Sequence, residues 1–141
     1  MDPKQRILAK FTEMNQYLHE LDEFLPATSR EYRSQTLPKR ASEKTIELAI
    51  ECVYDVMAMV IGLEKIQMPE EEESFARILA KHNIIDKDLA MRVQAMRGFR
   101  NLLVHRYAKI DDAKAYKFFN EEMGDFKEFE TKIIVFLKTK K

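Results

Sequence analysis

Apolar residues recur along most of this chain at alternating spacings of three and four, the period of an amphipathic α-helix. Ile7, Phe11, Met14, Leu18, Leu21 and Leu25 form the first such stripe. Asp2-Pro3-Lys4-Gln5 precedes it with a cap, a proline suited to the first turn and a glutamine that completes a capping box. The pattern predicts about six helical turns, ending near Pro26. Thr28 to Thr36 is polar and predicts at most a short helix. Pro38 then opens a second long helix with Ile46, Ile50, Val53, Met57 and Val60 as its core stripe and Gly62 as its stop. Glu43, Glu47, Glu51 and Asp55 run down the same helix at intervals of four and are expected to form a solvated face.

Ile66 to Glu73 breaks the pattern with Met68-Pro69 and four consecutive glutamates, expected at or before a helix start where the macrodipole favours anions. A short helix follows from Ser74 to about Lys81 and stops near Asn83. Asp86 caps the next long element, which turns Leu89, Val93, Met96, Phe99 and Leu103 inward. Gly98, inside it, is expected to permit close helix packing. Asp111 or Asp112 caps a final helix with Ala115, Phe119, Met123, Phe126, Ile133 and Leu137 as its stripe. Phe118, Phe129 and Phe136 widen that arc beyond one neighbour's reach. The expected fold is all-α: an antiparallel helical bundle of four to five main helices, residues 1–141 forming one domain.

Composition agrees with the periodicity. The 141 residues include only three glycines and four prolines, and 34% are charged. Lys and Arg number 24 and so do Asp and Glu. A chain balanced to zero has no global field for polyanions, so nucleic-acid binding requires a local patch. The one cysteine, Cys52, lies among apolar neighbours and cannot form an intrachain disulfide. The first residues lack a signal peptide's apolar stretch, and Val56 to Leu63 is too short to cross a bilayer. The expected location is the cytoplasm, with no membrane partner.

The unusual chemistry is concentrated in Gly98-Phe99-Arg100-Asn101-Leu102-Leu103-Val104-His105-Arg106-Tyr107. On a helix, Arg97, Asn101 and His105 share a face and Arg100 flanks it. An imidazole carries protons near neutral pH, and a guanidinium holds phosphate. Together they point to chemistry on a phosphodiester. From Met91 to Ile110 there are five basic residues, Arg92, Arg97, Arg100, Arg106 and Lys109, and no acid. That is a local positive patch centred on the histidine. Against this, His105 and Arg106 would equally well terminate a helix by satisfying its last carbonyls, with Tyr107 packing beside them. Spacing alone leaves both readings standing.

Other chemistry has little support. His19 and His82 lack a partner at i+4 or a nearby cysteine, and a linear run of glutamates does not converge on a metal from several directions. No glycine-rich phosphate loop, serine elbow or HExxH pattern is present, so no cofactor or metal is expected.

The stretch Arg100-Asn101-Leu102-Leu103-Val104-His105-Arg106-Tyr107 resembles the signature of the HepT-like branch of the HEPN-domain ribonucleases: Arg, a polar residue, three more residues, His, any residue, Tyr. The Glu-rich helix from Ser42 to Met57, the segment Ser74 to Leu79 and the helix after Asp111-Asp112 extend the resemblance over most of the chain. It implies a homodimeric bundle whose two motifs face each other across a cleft, acting as a metal-independent endoribonuclease on RNA such as tRNA or mRNA. It also implies a toxin–antitoxin pair whose partner, a minimal nucleotidyltransferase, adenylylates the motif tyrosine, here Tyr107.

On that footing His105 is the general acid/base, Arg100 stabilises the phosphate in the transition state and Asn101 orients either group. Arg97, Arg106 and Lys109 bind RNA phosphates. One histidine cannot readily make both proton transfers, whereas a dimer supplies two. Tyr107 would project beside His105 if the chain becomes extended there. The alternative function is a non-catalytic module whose Arg100 and His105 hold a nucleotide phosphate or a partner protein.

Overall fold

The computed structural model describes residues 1–104 and 111–140. Seven α-helices run through them: α1 (Pro3–Phe24), α2 (Ser29–Ser34), α3 (Thr36–Leu63), α4 (Phe75–Lys81), α5 (Lys87–Val104), α6 (Asp112–Glu121) and α7 (Gly124–Lys138). A 3₁₀ turn, Glu72–Ser74, leads into α4. The five longer helices form the all-α bundle that the periodicity predicts, and no described helix is long and apolar enough to cross a membrane.

The helix starts follow the predicted cap chemistry. Asp2 accepts from the Gln5 amide at 2.8 Å while the Gln5 side chain accepts from the Asp2 amide, so the capping box is complete. Asp86 accepts from the Leu89 amide at 2.8 Å, and Asp111, rather than Asp112, caps α6 through the amides of Ala113 and Lys114.

The helix stops differ from expectation in two places. Helix α3 runs past Gly62, and Lys65 takes the left-handed conformation at φ 56°. The Ile66 amide then donates to the Ile61 carbonyl and the Lys65 amide to the Gly62 carbonyl, the double bond pattern that closes a helix end. The later stop brings Ile66 back onto the core, which outweighs the glycine's freedom. Asn83 at φ 59° ends α4 in the same way, where the sequence places the stop. The predicted single C-terminal helix is two. At Glu122–Met123 the bonds shorten to three-residue spacing before Gly124 begins α7. One straight helix could not send Phe118 and Phe119 toward α2 and α5 while sending Phe126 and Phe129 into the rest of the core; the break redirects the stripe. Phe118 stacks on Phe99 of α5 with centroids 4.1 Å apart, Phe119 meets Tyr32 of α2 at 5.7 Å, and Phe129 meets Phe11 of α1 at 5.9 Å.

Helix α3 is the centre. It packs along α1 and also touches α2, α4 and α5. Its buried residues, which include the consecutive Cys52, Val53 and Tyr54, occupy more than one face. The acidic stripe at i+4 spacing is therefore only partly solvated, which corrects the sequence expectation. Asp55 is exposed, but Glu43 is buried, with Oε1 lacking a hydrogen-bond partner and Arg40 3.7 Å away. Burial raises the Glu43 carboxyl above its ordinary 4.5, against the lowering influence of Arg40 and Lys39. Helix α5 is tied to α7 by Arg92, which pairs with Asp125 at 2.5 Å and Glu128 at 2.9 Å.

Two stability measurements follow. Ile50→Ala, at a position with no exposed surface, should cost ~2–5 kcal/mol in denaturant unfolding, whereas Leu37→Ala, 80% exposed, should cost little. Because Glu43 has a raised folded pKa, its protonated form favours folding below the unfolded value of 4.5, and that contribution is lost as pH rises through the folded value. Glu43→Gln should therefore raise the urea midpoint at pH 7, with the gain shrinking toward pH 4; a lower midpoint at pH 7 contradicts the assignment.

Candidate active site

Three of the residues singled out by the sequence, Arg97, Arg100 and Asn101, occupy successive positions in the last turns of α5. His105, Arg106, Tyr107 and Lys109 lie outside the described residues, as does any extended geometry at Tyr107. The described chain ends α5 at Val104 and resumes at Asp111, where Lys39 of α3 pairs with Asp112 at 3.0 Å and fixes the start of α6.

Arg100 is the most constrained of the three. Its side chain is 14% exposed, and Nη2 lies 2.8 Å from Oε1 of Glu72 in the 3₁₀ turn. That oxygen is buried and the bond angle is poor, so the contact is an ion pair rather than a well-directed hydrogen bond. The guanidinium carbon sits 5.4 Å from the ring centroid of Tyr54 on α3. Tyr54 is itself fixed: its ring is buried, lies 6.3 Å from that of Phe75, and its hydroxyl donates to the Val93 carbonyl at 3.2 Å. Burial, reinforced by the Glu72 charge, pushes the Tyr54 hydroxyl up to about 12, so it remains a neutral donor at physiological pH.

Arg97 is looser. It approaches Glu73 at 3.8 Å, Glu73 is half exposed, and the buried Arg97 Nε has no hydrogen-bond partner. A side-chain hydrogen bond with Glu73, and then the charge of that neighbour, raise the Glu71 carboxyl. Arg92, counted in the predicted positive patch, is committed to Asp88, Asp125 and Glu128. Each described arginine of the patch thus has a carboxylate partner, and the patch is not the unbalanced one that the local sequence implies. The stretch Met91–Ile110 contains no acid, but other elements bring acids to it. Sequence reasoning missed Glu72, Glu73 and Tyr54 as neighbours of the motif. The four-glutamate run was the available signal, and its placement at a helix start was correct as far as it went.

Gly98 also corrects an expectation. A Cβ built there meets nothing within 4 Å, so this glycine does not serve packing within the subunit. It belongs to an exposed stripe of small and apolar residues, Met91, Ala95, Gly98 and Leu102, on the face of α5 turned away from the core.

A family profile described as ribonuclease HepT-like matches residues 14–133. No curated protein matches the sequence. Among solved structures, the fold is similar to that of a tri-AMPylated HEPN toxin of Shewanella oneidensis in complex with an MNT antitoxin, with a TM-score of 0.85 and 16% identity over 92% of this chain and 96% of that one. A toxin–antitoxin structure with AMP-PNP matches with a TM-score of 0.85 and 16% identity, covering 92% and 97% of the two chains. YutE of Bacillus subtilis, a cytosolic protein of unknown function, matches with a TM-score of 0.78 and 19% identity, covering 96% and 91%. At these identities the likeness to the solved structures is one of fold.

Proposed function

The chain belongs to the HepT-like ribonuclease family, and from that premise we propose that it is a metal-independent endoribonuclease acting at a cleft shared by two copies of the chain. The observation that carries the reading is Arg100: a guanidinium held on α5 by Glu72 and Tyr54, five residues before His105 in the sequence. A guanidinium fixed in this way is suited to the charge that develops on a phosphorane.

In the proposed reaction His105 of one copy takes the proton from a 2′-hydroxyl. The 2′-oxygen bonds to phosphorus, the bond from phosphorus to the 5′-oxygen breaks, and a second imidazole protonates that leaving oxygen. The products are a 2′,3′-cyclic phosphate and a 5′-hydroxyl. Arg100 stabilises the doubly charged phosphorane, Asn101 orients the phosphate or the imidazole, and Arg97, Arg106 and Lys109 hold flanking phosphates. One imidazole cannot readily make both proton transfers and the motif supplies one per chain, so the reading includes a homodimer. The exposed stripe Met91, Ala95, Gly98 and Leu102 supports it: a glycine with open space above it allows a second α5 to approach closely.

Regulation follows the same reading. The partner is a minimal nucleotidyltransferase antitoxin that places AMP on Tyr107, blocking the cleft and adding negative charge against substrate phosphates. The similarity in fold to an AMPylated toxin held by an MNT antitoxin supports this assignment. Both partners would act in the cytoplasm.

Incubation with tRNA in EDTA should yield cyclic-phosphate ends. His105→Ala should lower the rate by ~10²–10⁴-fold and Arg100→Ala by ~10²–10³-fold. Unchanged cleavage by His105→Ala overturns the catalytic assignment, and nucleotide binding without cleavage favours a binding module. Tyr107→Phe should abolish adenylylation by the partner; modification at the wild-type level would show that the acceptor lies elsewhere.

A further inference from the structure

Arg100 is neighboured by groups from two other elements, a carboxylate that pairs with it and an aromatic ring that its guanidinium carbon overlies. Glu72 lies in the 3₁₀ turn between α3 and α4, and Tyr54 lies on α3. A long arginine side chain is otherwise free to sample many rotamers, and a transition-state ligand that must be ordered during the reaction loses much of its effect. From the ion pair at 2.8 Å and the ring 5.4 Å from the guanidinium carbon, we infer that Glu72 is a positioning residue for the cleavage reaction, with Tyr54 as the platform that sets the plane of the Arg100 guanidinium. This rests on the ribonuclease reading of the same site.

The opposite role for Glu72, a phosphate mimic that RNA must displace, fits the geometry less well. A guanidinium has five N–H donors, and the shortest approach of Glu72 is from Oε1 to Nη2 at 2.8 Å. One carboxylate cannot occupy all five donors, which leaves some for a phosphate. The contacting oxygen is buried, so it is shielded from exchange with a ligand arriving from solvent. The turn that carries Glu72 is anchored as well. The Ser74 amide donates to the Glu71 carbonyl, the Phe75 amide donates to the Glu72 carbonyl, and the helix that follows buries Ala76 and Leu79. Glu73 contrasts with it: more exposed and 3.8 Å from Arg97, it has the geometry of a displaceable surface pair. The platform is equally firm, because the Tyr54 hydroxyl is held by the backbone of α5, the helix that carries Arg100.

The test is Glu72→Gln in the full chain, read in two independent ways. In steady-state cleavage of tRNA, kcat should fall about tenfold or more while KM stays within about twofold and the melting temperature is unchanged. In an Arg100→Ala background the same Glu72→Gln change should have no further effect, because Glu72 acts only through that arginine. Side-chain NMR gives the second readout without any need for turnover. The Arg100 guanidinium should show hindered rotation in the wild type and averaged signals in Glu72→Gln. An unchanged kcat, an additive loss in the Arg100→Ala background, a raised kcat, tighter RNA binding or unchanged guanidinium dynamics would each overturn the assignment. If instead wild type and His105→Ala behave alike while the guanidinium loosens as expected, the ribonuclease reading has failed and the positioning geometry has not.

Discussion

Helix α3 cannot be a surface helix. Its buried residues fall on more than one face, including three in a row at Cys52, Val53 and Tyr54, so α1, α2, α4 and α5 must gather around it. The hydrophobic effect alone accounts for that arrangement: removing apolar surface from water is worth roughly 25 cal/mol per Å², and this helix has such surface on several sides. The consequence for function is indirect but specific. Tyr54 is buried because α3 is buried, and a buried phenol seeks a partner for its hydroxyl, which it finds in the Val93 carbonyl of α5. The core thereby fixes an aromatic ring directly beside Arg100, and the site inherits its rigidity from the packing beneath it.

Charge is handled locally. The protein has equal numbers of acidic and basic residues, and the described arginines near the motif are each paired: Arg92 with acids of α5 and α7, Arg97 and Arg100 with the acidic turn before α4. These pairs do different things. Arg92 joins two helices through two carboxylates of α7, and its pairing holds the Glu128 carboxyl below the ordinary carboxylate range. Arg100 pairs with Glu72 through Nη2 at 2.8 Å. Arg97 sits in a long, half-buried pair, 3.8 Å from Glu73. A neutral protein has no global field to hold polyanions, so under the proposed function any hold on RNA falls to a local ridge.

Much of this was legible in the sequence, and the exceptions have a common cause. Helix starts depend on a few adjacent side chains, and Asp2, Asp86 and the Asp111-Asp112 pair were recognisable for that reason. The inward stripes of α1, α3 and α5 were equally plain from their period. What the sequence hid depends on residues far apart along the chain. Lys65 rather than Gly62 ends α3 because Ile66 must return to a core built by other helices. Glu43 is buried although its i+4 neighbours suggest a wet face. The C-terminal stripe breaks at Gly124 because its aromatics serve different neighbours. The motif itself, Arg100-Asn101 followed by His105 and Tyr107, is contiguous and was found at once. Its supports, Glu72 and Tyr54, stand 28 and 46 positions before Arg100, and no local pattern could link them to it.

The proposed function requires a second copy to complete the site by approaching the open face of α5 at Gly98. The most direct measurement is the solution mass and RNA cleavage of Gly98→Leu. Leucine favours the helix by about a kcal/mol over glycine, and within the subunit nothing lies within 4 Å of the new Cβ, so the fold should be retained. The account predicts a wild type that is dimeric and active and a variant that is folded, monomeric and inactive. A monomeric wild type that cleaves RNA, or a Gly98→Leu monomer with full activity, would contradict it.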